Sequence, residues 1–182
     1  GASVAQAQAP TGKPIVIGMI AEQSGPLGFY GQETTRSAQI FVDQLNSRGG
    51  LLGRPVSLIV RDSKTAVNEA VRQARDLTQS ENVDFLMHSI SSAECVAVGN
   101  VAKQAKKILF SACGNDDFTT KAGGRYIFRV PNVVARTQGY AAADYATQKL
   151  KGAGKRYYTI AHDFAAGRSI IELFKEKLKK DN

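Results

Sequence analysis

A chain of 182 residues is long enough for one well-buried domain and too short for two full ones. Its 43% hydrophobic and 22% charged residues match an ordinary globular composition, and no apolar run reaches the roughly 20 residues needed to cross a bilayer. The net charge of +8 gathers around Lys103, Lys106 and Lys107 and in Lys175, Lys177, Lys179 and Lys180; no aromatic residues interleave there to stack bases, so these lysines read as solvated helix faces and not as a nucleic-acid surface.

The chain opens on Ala2-Ser3-Val4-Ala5-Gln6-Ala7-Gln8-Ala9-Pro10, an Ala-x-Ala pattern of the kind signal peptidase accepts. Residues 1–12 therefore read as the flexible remnant of a removed secretory signal, and the protein is expected in the periplasm. No cysteine lies near the start to carry a lipid anchor. An apolar run over 15–20 predicts a buried parallel strand. A glycine-rich loop over 21–30 follows, then a helix over 31–47 with Ala38, Phe41, Val42 and Leu45 on one face. Gly49-Gly50 ends that helix and Gly53-Arg54-Pro55 turns the chain. Further strands are expected over 56–60, 83–87, 108–111, 126–130 and 157–161, and helices over 66–79, 93–106, 135–150 and 168–179. Strands alternating with helices predict an α/β fold, a doubly wound parallel sheet with helices on both faces. The segment near Pro131 is the expected crossing between lobes. It divides an N-terminal α/β lobe, 13–131, from the start of a second α/β lobe, 132–182, which the sequence leaves incomplete.

In open α/β sheets, ligands bind at the carboxyl ends of strands, where helix N-termini present free amides. Three loops leave strand ends here. The loop Ser24 to Gly31 lacks the Gly-Lys-Ser/Thr of a phosphate loop and the spacing of a dinucleotide fingerprint. Its glycines permit close approach of a ligand and set Tyr30 at the cleft mouth, or else form an ordinary turn with Tyr30 half-buried. Ser91 and Ser92 precede a helix; N-capping and carboxylate binding are both open to them, and compatible. Asn115 either adds a polar contact or closes an Asx turn. His88 and His162 read as structural residues at strand ends, since no nucleophile elbow accompanies them. Two cysteines and two scattered histidines do not make a metal site, and no cofactor motif is present, so no catalysis is expected.

Together these residues carry a resemblance. Ile17-Gly18, Ser24-Gly25-Pro26 and Tyr30-Gly31-Gln32 resemble the opening of the branched-chain amino-acid binding proteins of ABC transporters, type I periplasmic binding proteins. Asp43-Gln44-Leu45-Asn46, Gly49-Gly50-Leu51-Leu52-Gly53-Arg54, Asp62-Ser63, Ser91-Ser92 and Asp163-Phe164-Ala165-Ala166-Gly167-Arg168 continue it across the chain after Pro14. The resemblance implies a Rossmann-like lobe hinged to a second one, here truncated to roughly half the family's length, with ligand captured between them. It implies contacts from Tyr30, a ligand carboxylate received at Ser91 with Ser92 beside it, and further contacts from Cys113 and Asn115, where alanine and threonine are common in the family. Ala166 stands where the family often has an aromatic residue, which widens the pocket toward bulkier ligands.

The expected function is the substrate-binding component of an ABC uptake transporter, holding a small carboxylate such as an amino acid or aromatic acid and delivering it to a membrane permease. A sensory or regulatory ligand-binding domain on the same fold is the alternative. Neighbouring strands run about 4.8 Å apart, which brings the rim loops within bonding reach and predicts a Cys95–Cys113 disulfide bracing the floor of the site. Open sheet edges and exposed apolar surface in a truncated chain predict self-association.

Overall fold

The apolar run after Pro14 forms β1 (Ile15–Ala21), and α1 (Gly28–Ser47) returns the chain to β2 (Val56–Asp62). Then follow α2 (Val67–Gln79), β3 (Phe85–His88), α3 (Ser92–Ala105), β4 (Ile108–Ser111), a 3₁₀ turn at Asp116–Phe118, β5 (Ile127–Arg129), α4 (Ala135–Lys149) and α5 (Ala165–Asp181). The computed structural model describes residues 9–130, 134–150 and 156–181. Residues 1–8 of the expected signal remnant and the expected lobe boundary at 131–132 lie outside the described residues.

The five strands make one parallel sheet in the order β2-β1-β3-β4-β5. Ile15 pairs with Val56, Ile17 with Phe85, Phe85 with Ile108, and Leu109 with Ile127. After β2 the chain recrosses β1 to reach β3, so the strand order reverses between β1 and β3. Alternate residues of each strand face opposite ways. Ile15, Ile17, Val56 and Leu58 pack with Val42 and Leu45 of α1 on one face. Ile20, Leu86 and Leu109 pack with Leu77 of α2 and Val98 of α3 on the other. Each fully buried aliphatic side chain among these contributes about 1.5–3 kcal/mol, and the partly buried Ile17, Leu45 and Leu58 less.

Phe41, expected on the buried stripe of α1, is 64% exposed. Successive helical residues lie about 100° apart, and with Val42 turned onto the sheet its predecessor faces outward. Phe110 of β4 and Phe128 of β5 pair at 5.6 Å between ring centroids and remain partly exposed.

Residues 157–161 form no strand, against expectation. Tyr158 is 88% and Ile160 100% exposed, and no strand among the described residues lies alongside them. β-branched and aromatic residues favour a strand only where a ladder partner and a covering layer exist. Tyr157 alone is engaged, edge-on to Phe174. The helices flanking this segment pack on each other through Ala143, Ala146, Phe174 and Leu178. Gly139 permits the close approach, since a Cβ there would lie 2.8 Å from the Ile170 carbonyl. Across the same contact, Tyr140 donates to Glu176 at 2.7 Å and Lys177 pairs with Asp144 at 3.1 Å.

Candidate functional site

The loops leaving β1, β3 and β4 gather at the carboxyl edge of the sheet, beside the β1/β3 reversal, where open α/β sheets place their ligands. Asp62, closing β2, holds the first loop. Its carboxylate accepts from the amides of Gln23 (2.9 Å), Ser24 (3.2 Å) and Lys64 (2.7 Å) and from the Ser24 hydroxyl (2.7 Å). Burial works to raise its pKa, but the Ser24 hydroxyl and the three amides together outweigh burial and hold the carboxyl below its ordinary 3.8. Thr65 adds a second clasp, its hydroxyl donating to the Ser24 carbonyl at 2.9 Å. α1 begins at Gly28, earlier than the expected 31, and its first turn presses on the strand end. A Cβ on Gly31 would stand 2.0 Å from the Glu22 carbonyl oxygen, so only glycine fits and Tyr30 is set beside the cleft.

Ser91 is the N-cap residue of α3, yet its side chain makes no capping bond. Its amide donates to Glu22 Oε1 at 2.9 Å. The first amides of α3 have no intrahelical acceptor, so this helix start offers a hydroxyl, free N–H groups and the positive end of the helix dipole. A cavity of about 540 Å³ opens there, lined by Pro26, Leu27, Tyr30, Ile90, Ser91, His162 and Phe164. An adjoining hollow takes in Ser92, Ala165 and Arg168. Tyr30, Ser91 and Ser92 are thus brought to one rim, faced by the segment leading into α5.

The remaining expected residues sit differently. Asn115 closes the Asx turn that was its other reading: its Oδ1 accepts from the Asp117 amide at 2.8 Å. It lines a separate hollow that shares Ala165 and Arg168 with the Ser92 side. Ala166 lines none of these hollows; Phe164 and Ala165 supply the wall instead, because α5 starts at Ala165. Cys113 is fully buried and joined to Cys95, with Cα atoms 6.0 Å apart, and it offers the cleft no thiol. Gly167 lets α5 begin so close, since a Cβ there would lie 2.2 Å from the His162 carbonyl.

Two features escaped the sequence. Arg129 reaches back from β5, its guanidinium donating to the carbonyls of Cys113 and Asn115 and to the Thr119 hydroxyl; burial lowers its pKa. The second is a buried cluster. His88 Nε2 lies 3.5 Å from Glu22 Oε1 and 3.4 Å from Glu94 Oε2, all three side chains sealed from solvent. His88 Nδ1 lies 3.1 Å from the Ser111 hydroxyl. The order Ser111–His88–Glu94 has the connectivity of a hydrolytic triad, but Ser111 is only 1% exposed. A carboxylate extending an apolar strand at Glu22 was the one available signal. Its partners come from β3 and α3, and only the sheet order joins them.

Residues 14–181 match the periplasmic binding protein family. "Leu/Ile/Val-binding protein homolog 7" of Brucella abortus (strain 2308) is 31% identical over 142 residues, covering 78% of this chain and 35% of the relative. The chain thus spans about a third of that relative's length. The branched-chain amino-acid transporter substrate-binding protein LivJ of Streptococcus pneumoniae, solved with isoleucine, superposes with a TM-score of 0.76 at 26% identity, covering 92% of this chain and 47% of that one. The fold is shared with an ABC-transporter solute-binding protein of Rhodopseudomonas palustris solved with 3,4-dihydroxybenzoic acid, at a TM-score of 0.77, 20% identity, and coverage of 92% and 44%. The parallel sheet, the loops at its carboxyl edge and these matches establish that the chain belongs to the periplasmic binding protein family, in its branched-chain amino-acid type.

Proposed function

We propose that this chain supplies the ligand-gripping lobe of a substrate-binding component of an ABC uptake transporter, exported to the periplasm, and that it captures a small carboxylate without altering it. One observation carries the reading. Ser91 starts α3 with its hydroxyl free of capping, on the cavity that Tyr30 and Phe164 also line. A ligand carboxylate would take the hydroxyl and the first helix amides, and an aliphatic or aromatic side chain would lie against Leu27, Tyr30 and Phe164. LivJ, solved with isoleucine, supports an amino acid. The small Ala165 on the adjoining hollow leaves room for an aromatic acid. Delivery to a membrane permease after closure of a second lobe completes the reading. Self-association with a second copy belongs to it as well: among the described residues β5 is an edge strand, and its Phe128 and Phe110 of β4 lie partly uncovered.

Calorimetry against a panel of aliphatic amino acids and aromatic acids tests the binding. Saturable heat for one class, weakened about tenfold or more in Ser91→Ala, supports the proposal. Ligand binding unchanged in Ser91→Ala removes its basis. Sedimentation showing a stable monomer would count against self-association.

A further inference from the structure

The cluster beneath the Ser91 loop is built in a way that hydrogen bonding alone does not explain. Glu22 and Glu94 are 0% and 1% exposed, and each keeps one carboxylate oxygen, Glu22 Oε2 and Glu94 Oε1, without a partner among the described residues. His88 Nε2 faces both carboxylates at 3.5 and 3.4 Å, longer than the 2.7–2.9 Å of charge-assisted hydrogen bonds. One ring proton cannot serve two acceptors at good geometry. Two carboxyl groups sealed around one imidazole can be ionised together at low cost only beside a compensating cation.

We infer that Glu22, His88 and Glu94 form a binding site for one divalent transition-metal ion, zinc by ligand chemistry, underneath the carboxyl edge of β1 and β3. Zinc bonds of about 2.0–2.2 Å place neighbouring ligand atoms of a tetrahedral ion about 3.4 Å apart, the separation found at His88 Nε2. The three ligand atoms lie within 4.8 Å of one another, inside the range that small carboxylate rotations close. His88 Nδ1 lies 3.1 Å from Ser111 Oγ; in the neutral tautomer whose Nδ1–H donates to that hydroxyl, the Nε2 lone pair is left for a metal, as in metal-bound histidines, whose other ring nitrogen donates to a neighbouring oxygen. Two carboxylates, a neutral imidazole and a divalent cation sum to zero charge. The ligands come from the end of β1, the end of β3 and the first turn of α3. Because Glu22 also accepts the Ser91 amide, an ion that fixes Glu22 fixes the loop above it.

The test uses the full chain purified without a histidine tag, stripped with a chelator and then titrated with Zn²⁺ or Co²⁺. One zinc per chain should survive gel filtration, zinc should raise the melting temperature by several degrees, and Co²⁺ should give the intense visible bands of a tetrahedral site. Glu94→Gln keeps shape and removes a charged ligand; it should weaken zinc binding by about 100-fold. His162→Ala, which removes the other histidine, should leave stoichiometry at one. Overturning results are no retained zinc and a melting temperature indifferent to both metals in the wild type, or undiminished zinc binding in Glu94→Gln. Metal content of the wild type decides the matter even where a variant fails to fold. None of these readouts involves solute binding, so failure here leaves the carboxylate site standing, and the reverse.

Discussion

The segments 15–21 and 157–161 look alike on paper, each a short run of strand-forming residues ahead of a glycine-bearing loop and a helix. The first is β1, flanked on both sides and buried between helix layers. The second is irregular, with Ile160 fully exposed. The difference lies in neighbours. β1 finds β2 and β3 in register along its length, while 157–161 finds only a pair of helices. Strand propensity is a statement about surroundings as much as about residues, and the two regions show it within one chain.

That contrast can be broken or sharpened by substitution. The largest effect is expected at Gly31. Valine there drives its Cβ into the Glu22 carbonyl and should cost about 4 kcal/mol or more, read as a collapse of the urea midpoint; a midpoint near wild type would show that the β1 end yields as readily as 157–161. Next is the Cys95–Cys113 bridge, spanning 18 residues. The double alanine variant should lose about 3 kcal/mol, and unreduced, denatured wild-type protein should titrate no free thiol. Asp62 comes third. Its folded pKa lies below the ordinary 3.8, so it contributes stability above that value and loses it as pH falls through the lower folded pKa. Stability measured from pH 5 downward should fall by about 1 kcal/mol more in the wild type than in Asp62→Asn. The smallest effect belongs to the other region. Ile160→Ser should change stability by under about 0.5 kcal/mol, and a loss several times larger would mean that 157–161 is held as β1 is.

Most of the sheet half was readable because its signals are local. The apolar runs at 15–20 and 108–111 and the alanine-rich face of α2 each declare their burial within a few residues. Helix starts were read three residues late at Gly28 and Ala165, because glycine and alanine in a first turn carry no start signal and both helices are set by close packing against a preceding backbone. The placing of Tyr30, Ser91 and Ser92 at one rim was legible from loop position. Which way Asn115 turns was not, because a side chain that turns back on its own loop looks in sequence like one that points at a ligand. Arg129 and the Glu22–His88–Glu94 cluster were out of reach for another reason: they join residues up to 72 positions apart through strand order, which no local pattern records.

An amide has a single proton to give, and that of Ser91 is already given to Glu22. An anion arriving at this corner would therefore settle one peptide farther along, over the axis of α3, where the next amides point. Glu22 thus rehearses, inside the protein, the very contact that a visiting carboxylate would seek, and so fixes how deep such a guest can sit.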